Sequence, residues 1–305
     1  MSPLQHILAA TDLSSSSQEA VDRGFLLAAA SGARYTVLYA LGLDALMPMR
    51  SLLGERAAAV SDKIVEEARA GLQQSVSDAS RTHGVVPELR VEDGLPGVAI
   101  PAYAQAAPAD LVVVGAHGSG FLQRMLMGST ASTLLRKSKC PVLVVKQEPR
   151  GPYRRALIPV DFSHGSLLAV RLTRQVAPQA DLILLHAFEV PFEGKMQYAG
   201  VGEGLVMQYR TEARQRAVMQ LHELAAAAGL AEEDYTGIVV HGDATREVIL
   251  HEERDRCDLI VMGKHGTHVT EELLLGSVTK RVLAESLGDV LVVADRNAPP
   301  VPFPF

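Results

Sequence analysis

With 305 residues, 48% of them hydrophobic and 21% charged, the chain has the material for about two packed domains and is neither a disordered nor a fibrous composition. A net charge of −6 with no basic block argues against nucleic acid as a partner, and no apolar run approaches the ~18 residues of a membrane span. The two cysteines, Cys140 and Cys257, lack CxxC spacing and read as small buried residues beside strands, a usage that suits a reducing, cytoplasmic setting.

The first half opens with an apolar strand over residues 5–10, ended by Thr11-Asp12-Leu13-Ser14. The start, Met-Ser-Pro-Leu-Gln-His, has no charged stretch before an apolar core, so no secretory signal is expected. Ser16-x-x-Glu19 has the form of a capping box, for a helix running to about Ser31 with Gly32 as its stop. Val21, Phe25, Leu26 and Ala29 are expected to share its buried face. A second strand covers 34–40. The looser segment 41–54 holds Leu46, Met47, Met49, Leu52 and Leu53; the favoured reading is a loop packing on its own domain, the alternative a cover over a ligand or partner. A long helix over 55–82 ends at His83-Gly84. A third strand over 85–91 turns at Glu92-Asp93-Gly94 into a short helix beginning near Gly97. A fourth strand, a helix over 129–139 and a fifth strand over 140–146 complete the half.

Two prolines and a glycine in the polar stretch 147–153 mark a linker. The pattern then restarts. Strands are expected at 155–160, 181–186, 236–241, 259–262 and 290–294, with helices at 166–177, 204–228, 245–255 and 277–286. Asp161-Phe-Ser163 repeats Asp12-Leu-Ser14 at a distance of 149 positions, and Gly263 repeats Gly115 at 148, the mark of an internal duplication. Residues 188–203 match the loose segment of the first half, and the Pro-rich tail 297–305 reads as extended, with Phe303 and Phe305 available for docking. Strands alternating with helices predict an α/β fold with a parallel sheet covered on both faces in each half.

Within this frame one pattern stands out. The apolar run 111–114 stops at Gly115; Gly118 follows after two residues, and Gly128-Ser129-Thr130 after nine more. The second half repeats it as Met262-Gly263, Gly266 and Gly276-Ser277-Val278. A strand end, glycines free to take positive φ or to approach a ligand closely, and a helix start with unpaired N–H groups make an anion site. The Ser hydroxyls add donors. The competing reading, turn and cap glycines alone, is weakened by the repetition at identical spacing.

This Gly-x2-Gly-x9-Gly-Ser pattern after an apolar strand resembles the nucleotide-binding signature of the universal stress protein family, and the chain looks like a tandem member over nearly its whole length. It is not a Walker A sequence, since no Gly-Lys-Ser/Thr follows either loop. The resemblance implies two domains, 1–146 and 154–296, each a doubly wound five-stranded sheet in the order 3-2-1-4-5 (adenine nucleotide alpha-hydrolase-like). It implies an adenine nucleotide, ATP with or without Mg, at the switch point of each sheet. It further implies halves that pair as an internal pseudo-dimer, with further homodimerisation open. Asp12 and Asp161 would lie against the nucleoside; Ala10-Thr11, Pro159-Val160, Val114 and Met262 would face the adenine. Gly115, His117, Gly118, Gly128, Ser129 and Thr130, with Gly263, His265, Gly266, Gly276, Ser277 and Val278, would complete the two sites. Read from the residues alone, each Asp serves equally as a turn or cap former.

Arg124 in the first loop offers a cation to a triphosphate, whereas the second loop holds Glu271 and Glu272 with only Lys264 positive, so the first half is expected to be the better ATP site. His265-x-x-His268 with Glu271 has the residue types of a zinc site, but a solvated polar loop is the favoured reading and no metal site is assigned. No nucleophile–base pair stands at a fixed spacing, so the expectation is nucleotide binding in a stress response, not turnover. The alternatives are a weak Mg- or Mn-dependent ATPase using His117 or a metal near His265, and a binder of another small ligand or metal with a diverged second site.

Overall fold

The computed structural model describes residues 3–42, 56–118, 127–190, 203–265 and 275–294. The chain divides into two compact units on either side of Pro152 and Tyr153. The first carries strands β1 (His6–Thr11), β2 (Arg34–Leu41), β3 (Glu88–Asp93), β4 (Leu111–Gly115) and β5 (Val142–Val145). Its helices are α1 (Ser15–Ser31), α2 (Arg56–His83), α3 (Pro96–Ala106) and α4 (Ser129–Lys137). The strands lie in the order β3-β2-β1-β4-β5, every neighbouring pair parallel, with Ile7 opposite both Tyr35 and Leu111. β1, β4 and β5 are buried along their whole lengths, as expected of strands covered on both faces.

The chain leaves β1 toward β2 and β3, then crosses back to β4 and β5. With right-handed crossovers, that reversal places α1 and α2 on one face of the sheet and α3 and α4 on the other. It also opens a crevice at the carboxyl ends of β1 and β4.

The second unit repeats the plan with β6 (Arg155–Pro159), β7 (Asp181–Phe188), β8 (Tyr235–His241), β9 (Leu259–Gly263) and β10 (Asp289–Val293). Its helices are α5 (His164–Val176), α6 (Glu203–Ala228), α7 (Ala244–Asp255) and α8 (Ser277–Glu285). The order β8-β7-β6-β9-β10, again all parallel, is the first unit's order repeated. The α/β class, the five parallel strands in each unit and the order 3-2-1-4-5 are as the sequence led us to expect.

Several local expectations are corrected. The N-cap of α1 is Ser14, whose side chain accepts from the Ser17 amide, and not Ser16. The buried face of α1 runs through Ala20, Val21, Gly24, Phe25, Leu27 and Ala28, while Leu26 is half-buried and Ala29 exposed. Gly24 packs directly on Tyr35, whose phenol oxygen a Cβ there would strike and which donates to the Val21 carbonyl. β3 begins at Glu88, not at 85, and α5 begins at His164, two residues early, because Ser163 is its cap. Both cysteines are buried. The segments 43–54 and 191–202 and the tail 295–305 lie outside the described residues.

Candidate functional site

Each site starts with a bend after the first strand of its unit, built on the same plan twice. The Asp12 carboxylate (Oδ1) accepts from the Ser14 amide at 3.1 Å, and that of Asp161 from the Ser163 amide at 3.0 Å. The serine three residues past each cap closes the bend from the other side: Ser17 Oγ accepts from the Asp12 amide at 3.3 Å and Ser166 Oγ from the Asp161 amide at 3.0 Å. To turn this tightly the residue after each Asp takes a left-handed backbone, Leu13 and Phe162 both at φ 63°. A non-glycine residue there costs on the order of 1 kcal/mol and persists only where the surroundings impose it. The caps Ser14 and Ser163 then start α1 and α5.

The glycines of the repeated pattern act differently from expectation. None of the described ones takes positive φ. They are required by close approach. A Cβ on Gly115 would sit 2.6 Å from the Ser16 carbonyl oxygen, because the end of β4 packs against the first turn of α1. One on Gly118 would sit 2.9 Å from Asp12 Oδ2. Gly263 is pressed against Gly165 and the His265 carbonyl, with a Cβ 3.2 Å from the latter. The loops are tied down alike: the Gly128 amide donates to the Ala116 carbonyl at 2.8 Å and the Gly276 amide to that of Lys264 at 3.1 Å.

Three of the described α-helix starts have a side-chain cap and three do not, α3 at Leu95 being one of the latter, with Pro96 in its first turn. Ser14, Ser163 and Asp243 cap α1, α5 and α7 with side-chain oxygens. The caps of α4 and α8 are Gly128 and Gly276, which have no side-chain oxygen to offer. The first-turn amides have no acceptor within the helix, and the residues carrying them open onto a cleft. Unsatisfied N–H groups and the positive end of the helix dipole there favour an anion.

In the first unit the cleft has a volume of about 310 Å³ and in the second about 260 Å³. These lie near the small end of the range of ~300–1,000 Å³ usual for small-molecule sites. Ala10, Thr11 and Asp12 border the first cleft together with Val114, Gly115, His117, Gly118, Gly128, Ser129 and Thr130. Pro159, Val160 and Asp161 border the second together with Met262, Gly263, His265, Gly276, Ser277 and Val278. The structure therefore brings together all ten predicted residues in the first half and nine in the second. Gly266 lies outside the described residues, as do Arg124, His268, Glu271 and Glu272. Among the described residues no group of three His, Cys, Asp or Glu side chains is placed to hold a metal. Lys264 is buried and does not border the second cleft.

Sequence reasoning missed the remaining walls. Ser17, Ala40, Pro96, Ile100 and Ala131 border the first cleft. Ser166, Leu185, His186, Ala187, Ala244, Val248 and Thr279 border the second. Ser17 and Ser166 were findable, since they recur at the same 149-residue distance as the Asp pair. Ala131 and Thr279 directly follow the pattern in α4 and α8, whereas the others come from β2, β7, α3 and α7, which meet the pattern only through the fold. At His186, Nδ1 lies 2.7 Å from the Val160 carbonyl oxygen, and the imidazole packs on the Phe162 ring at a centroid distance of 4.3 Å.

Comparison with known proteins agrees with this architecture. The Universal stress protein family profile matches residues 3–146 and 152–294. A universal stress protein of Mycolicibacterium smegmatis is 30% identical over 246 residues, which is 76% of this chain and 78% of that protein. A Mycobacterium tuberculosis universal stress protein is 30% identical over 203 residues, 60% of this chain and 61% of its own. The crystal structure of a universal stress protein from Archaeoglobus fulgidus superposes with a TM-score of 0.65 at 20% identity, covering 95% of this chain and 98% of its own. With two matches that account for both repeats, the chain belongs to the universal stress protein family and carries two such domains in tandem.

Proposed function

We propose that this protein binds adenine nucleotide, ATP in the first instance, in the two clefts, and that the bound nucleotide governs its interactions in a stress response. One observation carries the reading: α4 and α8 begin on glycines with no side-chain cap, and both open there onto a cleft. The amides of Ser129, Thr130 and Ala131 would hold phosphate oxygens in the first, with the Ser129 and Thr130 hydroxyls beside them. Asp12 and Asp161 would accept from ribose hydroxyls. Gly118 supplies the room, since any side chain there would meet the Asp12 carboxylate.

The two clefts have diverged. Thr130 bears a hydroxyl where its counterpart Val278 has a methyl group, and Arg124 is replaced by a loop with two glutamates. The first cleft is the stronger triphosphate site on these grounds. Calorimetric titration of the full chain with ATP and Mg tests the reading. Gly118→Val is expected to weaken the tighter of two binding events by roughly tenfold or more, about 1.4 kcal/mol. Unchanged binding in that variant would overturn the site assignment, and loss of only the weaker event would reverse the ranking of the clefts.

A further inference from the structure

The second cleft contains a polar side chain that the first lacks. His186 stands at the carboxyl end of β7, next to Ala187, and borders the cleft; its counterpart in β2 is Tyr39, which does not border the first. Two contacts hold the imidazole in place. A carbonyl oxygen can only accept, so the 2.7 Å contact with Val160 requires Nδ1 to carry the hydrogen. In the neutral ring Nε2 is then an acceptor. The Phe162 ring, set by the left-handed bend after Asp161, lies 4.3 Å away at an interplanar angle of 32° and limits rotation of the imidazole.

The position of His186 along the cleft suits a base. β9, β6 and β7 are successive neighbours in the sheet, so the Gly263 loop and His186 are two strand spacings apart, roughly 10 Å. That is the scale separating the phosphates of a nucleotide from the far edge of its base. The surfaces between are apolar and suited to a flat ring: Pro159, Val160, Leu185, Val248 and Met262.

We propose that His186 reads the purine edge in the second cleft, accepting a hydrogen bond from an exocyclic amino group, so that this cleft prefers an aminopurine nucleotide to the same nucleotide without that group. The inference rests on the nucleotide reading of the cleft. The first cleft, with no side chain at this place, is not expected to discriminate in the same way.

The test uses the full chain carrying Gly118→Val, to silence the first cleft, titrated with adenosine monophosphate and with the analogue in which hydrogen replaces the 6-amino group. The amino compound is expected to bind about threefold to tenfold more tightly, the span of one net hydrogen bond. His186→Phe keeps a ring against Phe162 and removes the acceptor; it is expected to weaken the amino compound alone and erase the preference. The comparison of ligands on the parent needs no change at His186, so it stands even if the Phe variant folds poorly. Equal affinities in the parent, or a preference that survives His186→Phe, would overturn the role of His186 while leaving nucleotide binding intact. Absence of binding by either compound would overturn both.

Discussion

Three side chains show how burial sets chemistry in this molecule. Burial, with the Asp255 charge adding to it, pushes the Cys257 thiol up to about 12. Cys140 is buried too, and its thiol hydrogen points at the Ala109 carbonyl, 3.1 Å away. The Cys257 sulfur therefore stays a thiol near neutral pH, and burial keeps Cys140 from reagent. A colourless-to-yellow thiol titration at about pH 8 should therefore find no reactive group in the native protein and both after denaturation; a fast-reacting thiol in the folded chain would contradict this. His6 behaves differently. It is buried between the Thr36 hydroxyl at 2.9 Å and the Ala107 carbonyl at 3.0 Å. Burial, then the nearby Arg34 charge, holds its pKa below the ordinary 6.5. Above that value the ring is neutral in both folded and unfolded chains, and its full contribution to stability is present. As the pH falls from 6.5 toward the folded pKa, the unfolded chain takes up the proton first and stability is lost. Urea midpoints at about pH 7.5 and 5.5 should show this loss, and His6→Gln, less stable at the higher pH, should lose less between the two. At this scale the sequence was legible only in part. The Asp pair and the glycines could be picked out, but the reason for the glycines could not: the packing of β4 against α1 that crowds Gly115 is a tertiary fact. Nor does anything in Leu13 or Phe162 advertise a left-handed backbone, because the bend is imposed by the carboxylate and serine on either side.

Among the elements, the contrast between capped and uncapped helices invites a direct trade. Gly128→Asp would supply the missing oxygen to the first turn of α4. Its Cβ would lie 3.3 Å from the Ala116 carbonyl oxygen, a contact that needs a shift of a few tenths of an ångström. The cap gain over glycine is only a few tenths of a kcal/mol, so thermal stability is expected to change little. Nucleotide binding in the first cleft, by contrast, should fall by about tenfold or more, because the new carboxylate occupies the amides and repels phosphate. Paired melting and calorimetry measurements check it; a variant that bound ATP as well as the parent would show that these amides are not the anchor. Most elements were readable from apolar periodicity and from Gly32 as a stop. The cap of α1 was not, because Ser14 to Ser17 are four identical candidates and the Asp12 bend, not the serines' own propensity, selects the first.

For the whole chain the duplication makes two clefts with different linings. Native mass spectrometry of the freshly purified protein should record up to two nucleotides per chain, and Gly118→Val should reduce that number by one. Two retained nucleotides in the variant would place a ligand elsewhere. The repeat itself was the most legible feature, since a distance of 148 or 149 residues survives divergence of the residues between. The differences between halves were harder to see, because Ala40, His186 and their neighbours enter the clefts from strands far from the glycine pattern. One of those differences has an engineering use. The bend after each aspartate has the same φ with an aliphatic residue in one copy and an aromatic in the other, so the backbone is indifferent to what hangs from it. Leu13→Phe combined with Tyr39→His is thus a two-letter graft by which one half's selectivity could be written into its sibling without redesigning the scaffold.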